Sequence, residues 1–179
     1  MNFENIVHFN TEQWPVVYFK SGNSQINDEN FDDYKKSYLQ LLVKCKRNNE
    51  KMILICDLNS FNNDSEALPI KYFIKQSNFN KEMYEHNKKY LKCVCILCKN
   101  KNIKTMLNLY FSISKPAAPY KLCRSIDKAN LFIYEKGDIN FDVSIFLINN
   151  DTNDTDDIND GDSDEVIVND DNDDNLLFS

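Results

Sequence analysis

The chain has few of the residues from which common catalytic and nucleotide-binding sites are built. Its three glycines do not form the glycine-rich loop that cradles a phosphate. It has two histidines, His8 and His86, and nothing in the sequence places either beside a serine or cysteine nucleophile. The acidic residues of the body form no catalytic pair at a recognisable spacing. We therefore expect that the protein is not an enzyme.

Long apolar runs are also missing. No stretch approaches the roughly 18 consecutive apolar residues needed to cross a bilayer. The first residues, MNFENIVHFNTEQW, lack the basic region followed by an apolar block that is typical of a secretory signal. The sequence therefore predicts no transmembrane segment and a cytoplasmic location.

The six cysteines have no spacing that indicates a disulfide framework. Cys95-Ile-Leu-Cys98 has the spacing of a redox or metal pair, but it lies in an apolar run, KCVCILCK, that predicts a buried strand. Because side chains alternate along a strand, Cys95 and Cys98 should face opposite sides of the sheet. We predict buried thiols in a reducing compartment, with no metal and no cofactor.

Basic residues are absent after Lys136. Residues 151–179 carry twelve acidic residues and no basic one, so the body of the chain holds 21 basic against 16 acidic residues. A body this weakly basic does not indicate a nucleic-acid partner. The tail is too polar to bury the apolar surface that would offset its chain entropy. We predict an acidic disordered tail over residues 150–179.

Short apolar islands interrupt the acidic C-terminal part of the chain. Residues 138–149 contain INFDVSIFLI, which predicts either an edge strand or a docking segment for another protein. The island Ile145–Ile148 is followed by acids, and the island Asp164–Val168 sits between acids. Both resemble SUMO-interacting motifs, in which a short strand adds to the sheet edge of a partner. A tail that only solvates the protein is the alternative.

Apolar periodicity predicts alternating strands and helices in the rest of the chain. Met52–Leu58 and Lys92–Lys99 are apolar on both faces, as in central strands that are covered on two sides. Residues 28–46 and Ile103–Phe111 repeat apolar side chains at helical spacing. We predict one α/β domain over residues 1–137, with a single mixed, largely parallel sheet of about four to five strands packed with helices.

Two stretches carry a resemblance to a known family. One is Asp57-Leu58-Asn-Ser-Phe61 with Asp64-Ser65-Glu66-Ala67-Leu68. The other is Ile103–Phe111 with Lys115-Pro116, followed by Ser125-Ile-Asp-Lys-Ala129. With the order of elements over residues 6–135, they resemble a STAS domain, the fold of bacterial anti-sigma-factor antagonists and of the SpoIIAA-like proteins. The resemblance implies a non-catalytic module for protein–protein interaction or regulation.

Ser65 matches the serine that a partner kinase phosphorylates in antagonist members of that family. Glu66 departs from the family's small hydroxyl residue, and its charge disfavours a neighbouring phosphate. The alternative role for Asn63, Asp64 or Ser65 is an ordinary helix cap, since Pro69 fits the first helical turn. We predict a partner- or anion-binding surface with Ser65 as its candidate phosphosite and Asp57 as an orienting residue, formed by Asp57, Asn59, Ser60, Asn63, Asp64, Ser65 and Glu66.

The second functional hypothesis is a small binder of a lipid or another apolar ligand. A class of lipid-binding domains has a related order of elements, and the apolar helical stripes of this chain would then line a cavity instead of filling a core. The predicted lining residues are Tyr72, Phe73, Met106, Tyr110 and Phe111.

Overall fold

The computed structural model describes residues 9–20, 27–59, 70–147 and 166–167. Over these residues the strands are β1 (Phe9–Asn10), β2 (Val16–Lys20), β3 (Met52–Asp57), β4 (Leu91–Leu97), β5 (Tyr120–Cys123) and β6 (Val166–Ile167). The helices are α1 (Asp28–Asn48), α2 (Ile70–Glu82), α3 (Tyr84–Tyr90), α4 (Lys101–Ile113) and α5 (Ile126–Gly137), followed by a 3-10 helix at Val143–Phe146.

All the strands belong to one mixed sheet, in which their spatial order is their order along the chain. Strands β2 to β5 are parallel, and one row across them joins Tyr18, Ile55, Cys95 and Lys121. The short strands β1 and β6 pair antiparallel at the two edges. The predicted α/β fold class, with a single and largely parallel sheet, is confirmed.

The two apolar runs of the sequence are adjacent central strands. Ile53 on β3 pairs with Cys93 on β4, and Ile55 pairs with Cys95. These four side chains are fully buried on one face of the sheet, and Leu54 of β3 is buried on the other. Helices therefore cover the sheet on both faces, as an all-apolar strand requires. The residues that made the strands easy to predict are therefore the residues that fill the core.

Helices α1 to α4 cover one face of the sheet. The side chain of Asn27 caps α1 by accepting the backbone N–H of Asn30 at 2.9 Å, and Asn49 ends the helix in the left-handed conformation. Buried side chains of α1 pack on Val17 and Leu54 of the sheet, and α4 packs more loosely, with half-buried side chains. These residues are Tyr38, Leu41, Leu42 and Cys45 of α1, and Ile103, Leu107 and Phe111 of α4.

Helix α5 and the 3-10 helix cover the opposite face. Phe132 and Ile133 of α5 are fully buried, and so is Val143 of the 3-10 helix. Phe146 stacks on Tyr18 with 4.7 Å between ring centroids. The edge-strand prediction for residues 138–149 is therefore wrong over the described part, which forms a 3-10 helix. The core of the domain also extends past the predicted boundary at residue 137, because Val143 and Phe146 cover part of the sheet.

The acidic tail contributes one short strand. Val166 pairs with Lys121 and Ile167 pairs with Tyr120, antiparallel, at the outer edge of β5. The prediction of disorder is wrong at these two residues, since the edge of β5 supplies backbone partners that a composition argument does not consider. The remainder of residues 150–179 lies outside the described residues, so its disorder stays a prediction.

Candidate functional site

The predicted binding surface begins where the parallel strands β3, β4 and β5 end. Because these strands are parallel, their carboxyl ends lie along one edge of the sheet, and the residues directly after β3 and β4 are in contact. Order along the sheet never reverses between β2 and β5, so these strands form no crevice of the kind that holds nucleotides in doubly wound folds. We call the surface at these ends the strand-end edge; its described residues are Asp57, Asn59, Lys99, Asn100, Arg124 and Ser125.

Asp57 is the buried anchor of the strand-end edge. It is 4% exposed, and its side chain lies on the face of the sheet that α5 covers. The hydroxyl of Tyr18 donates to Oδ2 at 2.6 Å, and the backbone N–H of Asn59 donates to Oδ1 at 3.0 Å. Burial, the hydrogen bond to Asp57 and the charge of Asp57 raise the pKa of Tyr18 well above its ordinary value. Tyr18 therefore stays a neutral donor, and Asp57 is held in place.

Asn59 connects the exit of β3 to the exit of β4. The backbone N–H of Leu58 donates to the carbonyl of Leu97 at 2.9 Å, which continues the ladder beyond β3. One residue later, the side-chain oxygen of Asn59 accepts the backbone N–H of Lys99 at 2.9 Å. The hydrogen bonds from Tyr18 through Asp57 and Asn59 to Lys99 thus fix the backbone on both sides of the strand-end edge.

Two helices begin at the same edge, each behind a capping side chain. Asn100 caps α4 by accepting the backbone N–H groups of Asn102 at 2.9 Å and Ile103 at 3.3 Å. Ser125 caps α5 by accepting the backbone N–H of Lys128 at 3.4 Å. These contacts satisfy amides that a helix start would otherwise present to solvent, and they order the short connections that leave β4 and β5.

Most of the predicted surface lies outside the described residues. Residues 60–69, between Asn59 and the start of α2 at Ile70, are not among the described residues. Asp57 and Asn59 are therefore placed at the strand-end edge, whereas the positions of Ser60, Asn63, Asp64, Ser65 and Glu66 are not described. The roles predicted for these five residues, the candidate phosphosite among them, stay predictions.

The structure separates the residues of the predicted apolar pocket. Tyr72 faces α1, where its ring lies 6.0 Å from that of Phe31 and its hydroxyl donates to Asp28 at 2.8 Å. The ring centroid of Phe73 lies 6.2 Å from that of Tyr110, whose ring contacts Phe111. Phe111 in turn contacts Tyr120 on β5, with 4.0 Å between ring centroids. Met106 is half-buried on α4. Aromatic contacts thus connect three of the predicted residues to one another, and lipid binding stays a prediction.

A cleft lies at the opposite end of the sheet, near the start of β3 and β4. It encloses about 350 Å³, and its walls include Asn49, Lys51, Ile53, Lys92, Gly137 and Ile139. None of the residues of the predicted lipid pocket lines this cleft. The sequence did not predict this cleft, because its walls come from strand starts, turns and a helix end that meet only in the folded chain.

The cysteine thiols are suited to packing rather than chemistry. Cys95 packs beneath α5 and Cys98 packs beneath α4, so the pair faces opposite sides of the sheet as predicted. Burial raises the pKa of Cys93 and of Cys56 to about 12, which leaves both thiols protonated at neutral pH. The Sγ atoms of Cys95 and Cys123 lie 3.7 Å apart in the core as free thiols.

The described residues hold neither a metal-binding cluster nor a membrane-spanning helix. No group of three or more His, Cys, Asp or Glu side chains is arranged to hold a metal ion in that part of the chain. No helix in the described ranges combines the length and the apolar character needed to span a bilayer. His86 lies exposed on α3, and His8 falls outside the described residues.

Tyr18 is the functional-site residue that sequence reasoning missed. Alternation along β3 places Asp57 on the same face as Ile53 and Ile55, so the sequence does indicate a carboxylate at the end of a buried face. The partner of that carboxylate depends on which strand lies next to β3 and in what register. Neither can be read from a single sequence.

Comparisons with protein-family models, with curated proteins and with solved structures return no match for this chain. The resemblance to a STAS domain therefore stays a prediction.

Proposed function

We propose that the protein is a non-catalytic module for protein–protein interaction or regulation, and that its strand-end edge is the binding surface. The observation that carries the proposal is the hydrogen-bonded series from Tyr18 through Asp57 and Asn59 to the backbone of Lys99. This series fixes the backbone at Asn59 and Lys99, where the chain leaves β3 and β4. Polar loops held by a rigid sheet are where binding residues concentrate in folded proteins.

The surroundings of Asp57 support a structural role for its carboxylate. Both of its oxygens accept hydrogen bonds from the protein, and the side chain is almost fully buried. A general base needs an oxygen within hydrogen-bond reach of a substrate proton. Asp57 instead uses its acceptor capacity to fix Asn59, which lies exposed at the surface.

An anionic partner group is the chemistry that the strand-end edge favours. Lys99 and Arg124 follow the ends of β4 and β5, and Lys101 and Lys104 lie in the first turn of α4. Charged side chains of this kind bind carboxylates and phosphates through short hydrogen bonds. The resemblance to a STAS domain makes Ser65 the residue of this surface that faces an anion or is phosphorylated.

A reducing, cytoplasmic setting belongs to the same proposal. The six cysteines are free thiols, and most of them are buried in the core on one face or the other. Free thiols packed as small apolar side chains are typical of proteins kept in reducing compartments.

Quantitative affinity capture tests the proposal. The bait proteins are the full chain, Lys99→Glu, Ser65→Ala, and Lys81→Glu as the matched control, because Lys81 is an exposed lysine at the end of α2. We expect a protein partner whose recovery falls about tenfold, equivalent to about 1.4 kcal/mol, with Lys99→Glu or Ser65→Ala and stays unchanged with Lys81→Glu.

Recovered partners are then bound to the purified full chain and to the same variants. The proposal fails if every partner that binds the wild-type protein binds Lys99→Glu and Ser65→Ala with the same affinity. Circular dichroism of each variant shows whether the fold is retained.

A further inference from the structure

The outer edge of β5 is occupied by the protein's own tail. Strand β6 pairs antiparallel with β5, with Val166 opposite Lys121 and Ile167 opposite Tyr120. An edge strand presents a row of backbone donors and acceptors that can accept another strand. The structure thus shows strand addition at this edge, by a segment that lies far along the chain.

The charge on either side of this pairing is complementary. Residues 86–126, which include β4, α4 and β5, carry nine basic residues and no acidic one. Residues 160–174, which surround β6, carry eight acidic residues and no basic one. Opposite charges of this kind favour the approach of the acidic segment to the basic part of the domain.

The pairing is short enough to exchange. Strand β6 covers two of the four residues of β5, Tyr120 and Lys121. Eighteen residues, 148–165, separate β6 from Leu147, the residue that follows the 3-10 helix. An extended segment of that length reaches about 60 Å, so chain length alone does not hold β6 on the edge.

We propose that the outer edge of β5 is a strand-addition site for extended peptides in which a short run of β-branched residues is bordered by acids, and that Val166–Ile167 masks this site within the same chain. Backbone pairing supplies part of the affinity, and the acid borders meet the basic half of the domain. A peptide of the same chemistry from another protein competes with the tail for the edge.

This site is distinct from the strand-end edge, because it runs along the side of β5 instead of across the strand ends. The proposed function and the masked site can therefore succeed or fail separately. Variants at Lys99 and Ser65 report on the first, and variants at Lys121 and Ile167 report on the second.

Peptide binding to the full chain tests the masking. The probe is a fluorescent peptide of residues 160–174, and the unmasked protein is the full-length variant Ile167→Pro, since proline cannot donate to a ladder. The matched control is Ile158→Pro, the same substitution elsewhere in the tail. We expect the peptide to bind Ile167→Pro about tenfold more tightly than wild type or Ile158→Pro, as for an edge that is masked roughly nine-tenths of the time.

Three controls define the binding mode. A peptide of the same composition in scrambled order should bind at least about tenfold more weakly, because charge alone does not make the ladder. Lys121→Glu in the unmasked chain should weaken binding, whereas Lys81→Glu should not. Raising the salt concentration should weaken binding to every variant that binds.

Amide hydrogen exchange measures how well the tail protects β5, and it needs no added peptide. Exchange over residues 120–123 should be faster in Ile167→Pro than in wild type and unchanged in Ile158→Pro. The proposal is overturned if exchange is the same in all three proteins, or if the peptide binds wild type and Ile167→Pro equally. Masking within one chain is also overturned if wild type is a dimer that Ile167→Pro dissociates, because a second copy then supplies the strand.

Discussion

The hydroxyl of Tyr18 and the carboxylate of Asp57 meet although 39 positions separate them in the chain. Tyr18 lies on β2 and Asp57 ends the neighbouring strand β3, with both side chains beneath the layer formed by α5 and the 3-10 helix. Phe146 stacks on the ring of Tyr18, and both Tyr18 and Asp57 are buried. A carboxylate in such a place is costly unless its oxygens accept hydrogen bonds, and Tyr18 and Asn59 supply two of them.

Replacement of Tyr18 by phenylalanine removes one of these donors and leaves the ring in place. We expect Tyr18→Phe to lower the free energy of unfolding by about 2 kcal/mol, since the hydrogen bond is buried and its acceptor is charged. Urea denaturation at neutral pH measures the change. Tyr134→Phe is the matched control, because Tyr134 is 62% exposed on α5 and its loss should cost less than about 0.5 kcal/mol.

Asp28 is the residue that joins the start of α1 to α2. Its carboxylate accepts hydrogen bonds from Lys75 at 2.9 Å, Tyr72 at 2.8 Å and Lys71 at 3.1 Å. These contacts lower the pKa of Asp28 well below its ordinary range, with Lys75 the largest cause. Because the folded-state pKa is lowered, the contribution to stability is complete above about pH 4 and is lost as the pH falls through the folded-state value.

Asp28→Asn should therefore destabilise the protein most at neutral pH, with a difference from wild type that shrinks as the pH falls below about 4. Asp28 is exposed, so added salt should also reduce the difference. Thermal unfolding from pH 2.5 to 7 measures both effects. Asp138→Asn serves as the control, since its ion pair with Lys92 is longer, at 3.9 Å. A difference that does not depend on pH would contradict the assignment.

At the scale of an element, the 3-10 helix Val143–Phe146 completes the core on the α5 face. Asp142 starts it by accepting the backbone N–H of Ser144 at 3.0 Å, and Asn130 of α5 accepts the backbone N–H of Val143 at 2.9 Å. Val143 and Phe146 then point into the core. The apolar residues after position 140 form this 3-10 helix instead of a strand, because in that position their side chains bury the part of the sheet beside α5.

Two neighbouring residues of this element allow a matched test. Phe146 is 7% exposed and stacks on Tyr18, whereas Ile145 is 44% exposed. We expect Phe146→Ala to lower the free energy of unfolding by about 3 kcal/mol, because it leaves a cavity beside the ring of Tyr18. Ile145→Ala should cost less than about 1 kcal/mol. Equal effects in urea denaturation would show that the 3-10 helix does not pack on the core.

At the scale of the whole molecule, charge is distributed unevenly along the sheet. The part of the chain that forms β4, α4 and β5 is basic, and the acid-rich tail reaches it at the outer edge of β5. Composition shows an acidic tail and a mildly basic body as separate facts. Only the topology brings them together, because β5 is the last strand of the body and its outer edge is open to the tail.

Much of the fold could be predicted from the sequence, because the patterns that indicate each strand or helix lie within that element. Met52–Asp57 and Leu91–Leu97 are apolar on both faces, and α1 carries a cap, a dipole-compatible charge pattern and an apolar stripe within its own residues. The edges of the domain were harder to predict. The 3-10 helix and β6 are too short to have a periodicity of their own, so their conformation depends on the surface that receives them.

Only part of the candidate site could be predicted from the sequence. The position of Asp57 at a strand end followed from the sequence, whereas its hydrogen bond to Tyr18 and the contact of Asn59 with the backbone of Lys99 did not. The predicted apolar pocket assumed that Tyr72 and Phe73 face the same space. They are adjacent on α2 and point toward different neighbours, α1 and α4.

The class of fold, the two central strands, the main helices and the acidic character of the tail could all be predicted from the amino-acid sequence. These properties depend on side-chain periodicity and composition, which act over a few neighbouring residues. The partner of Asp57, the burial of Phe146 and the pairing of Val166–Ile167 with β5 are visible only in the folded chain. Each of these depends on strand order and register, which are set by how distant apolar faces pack together and not by any one segment of the chain.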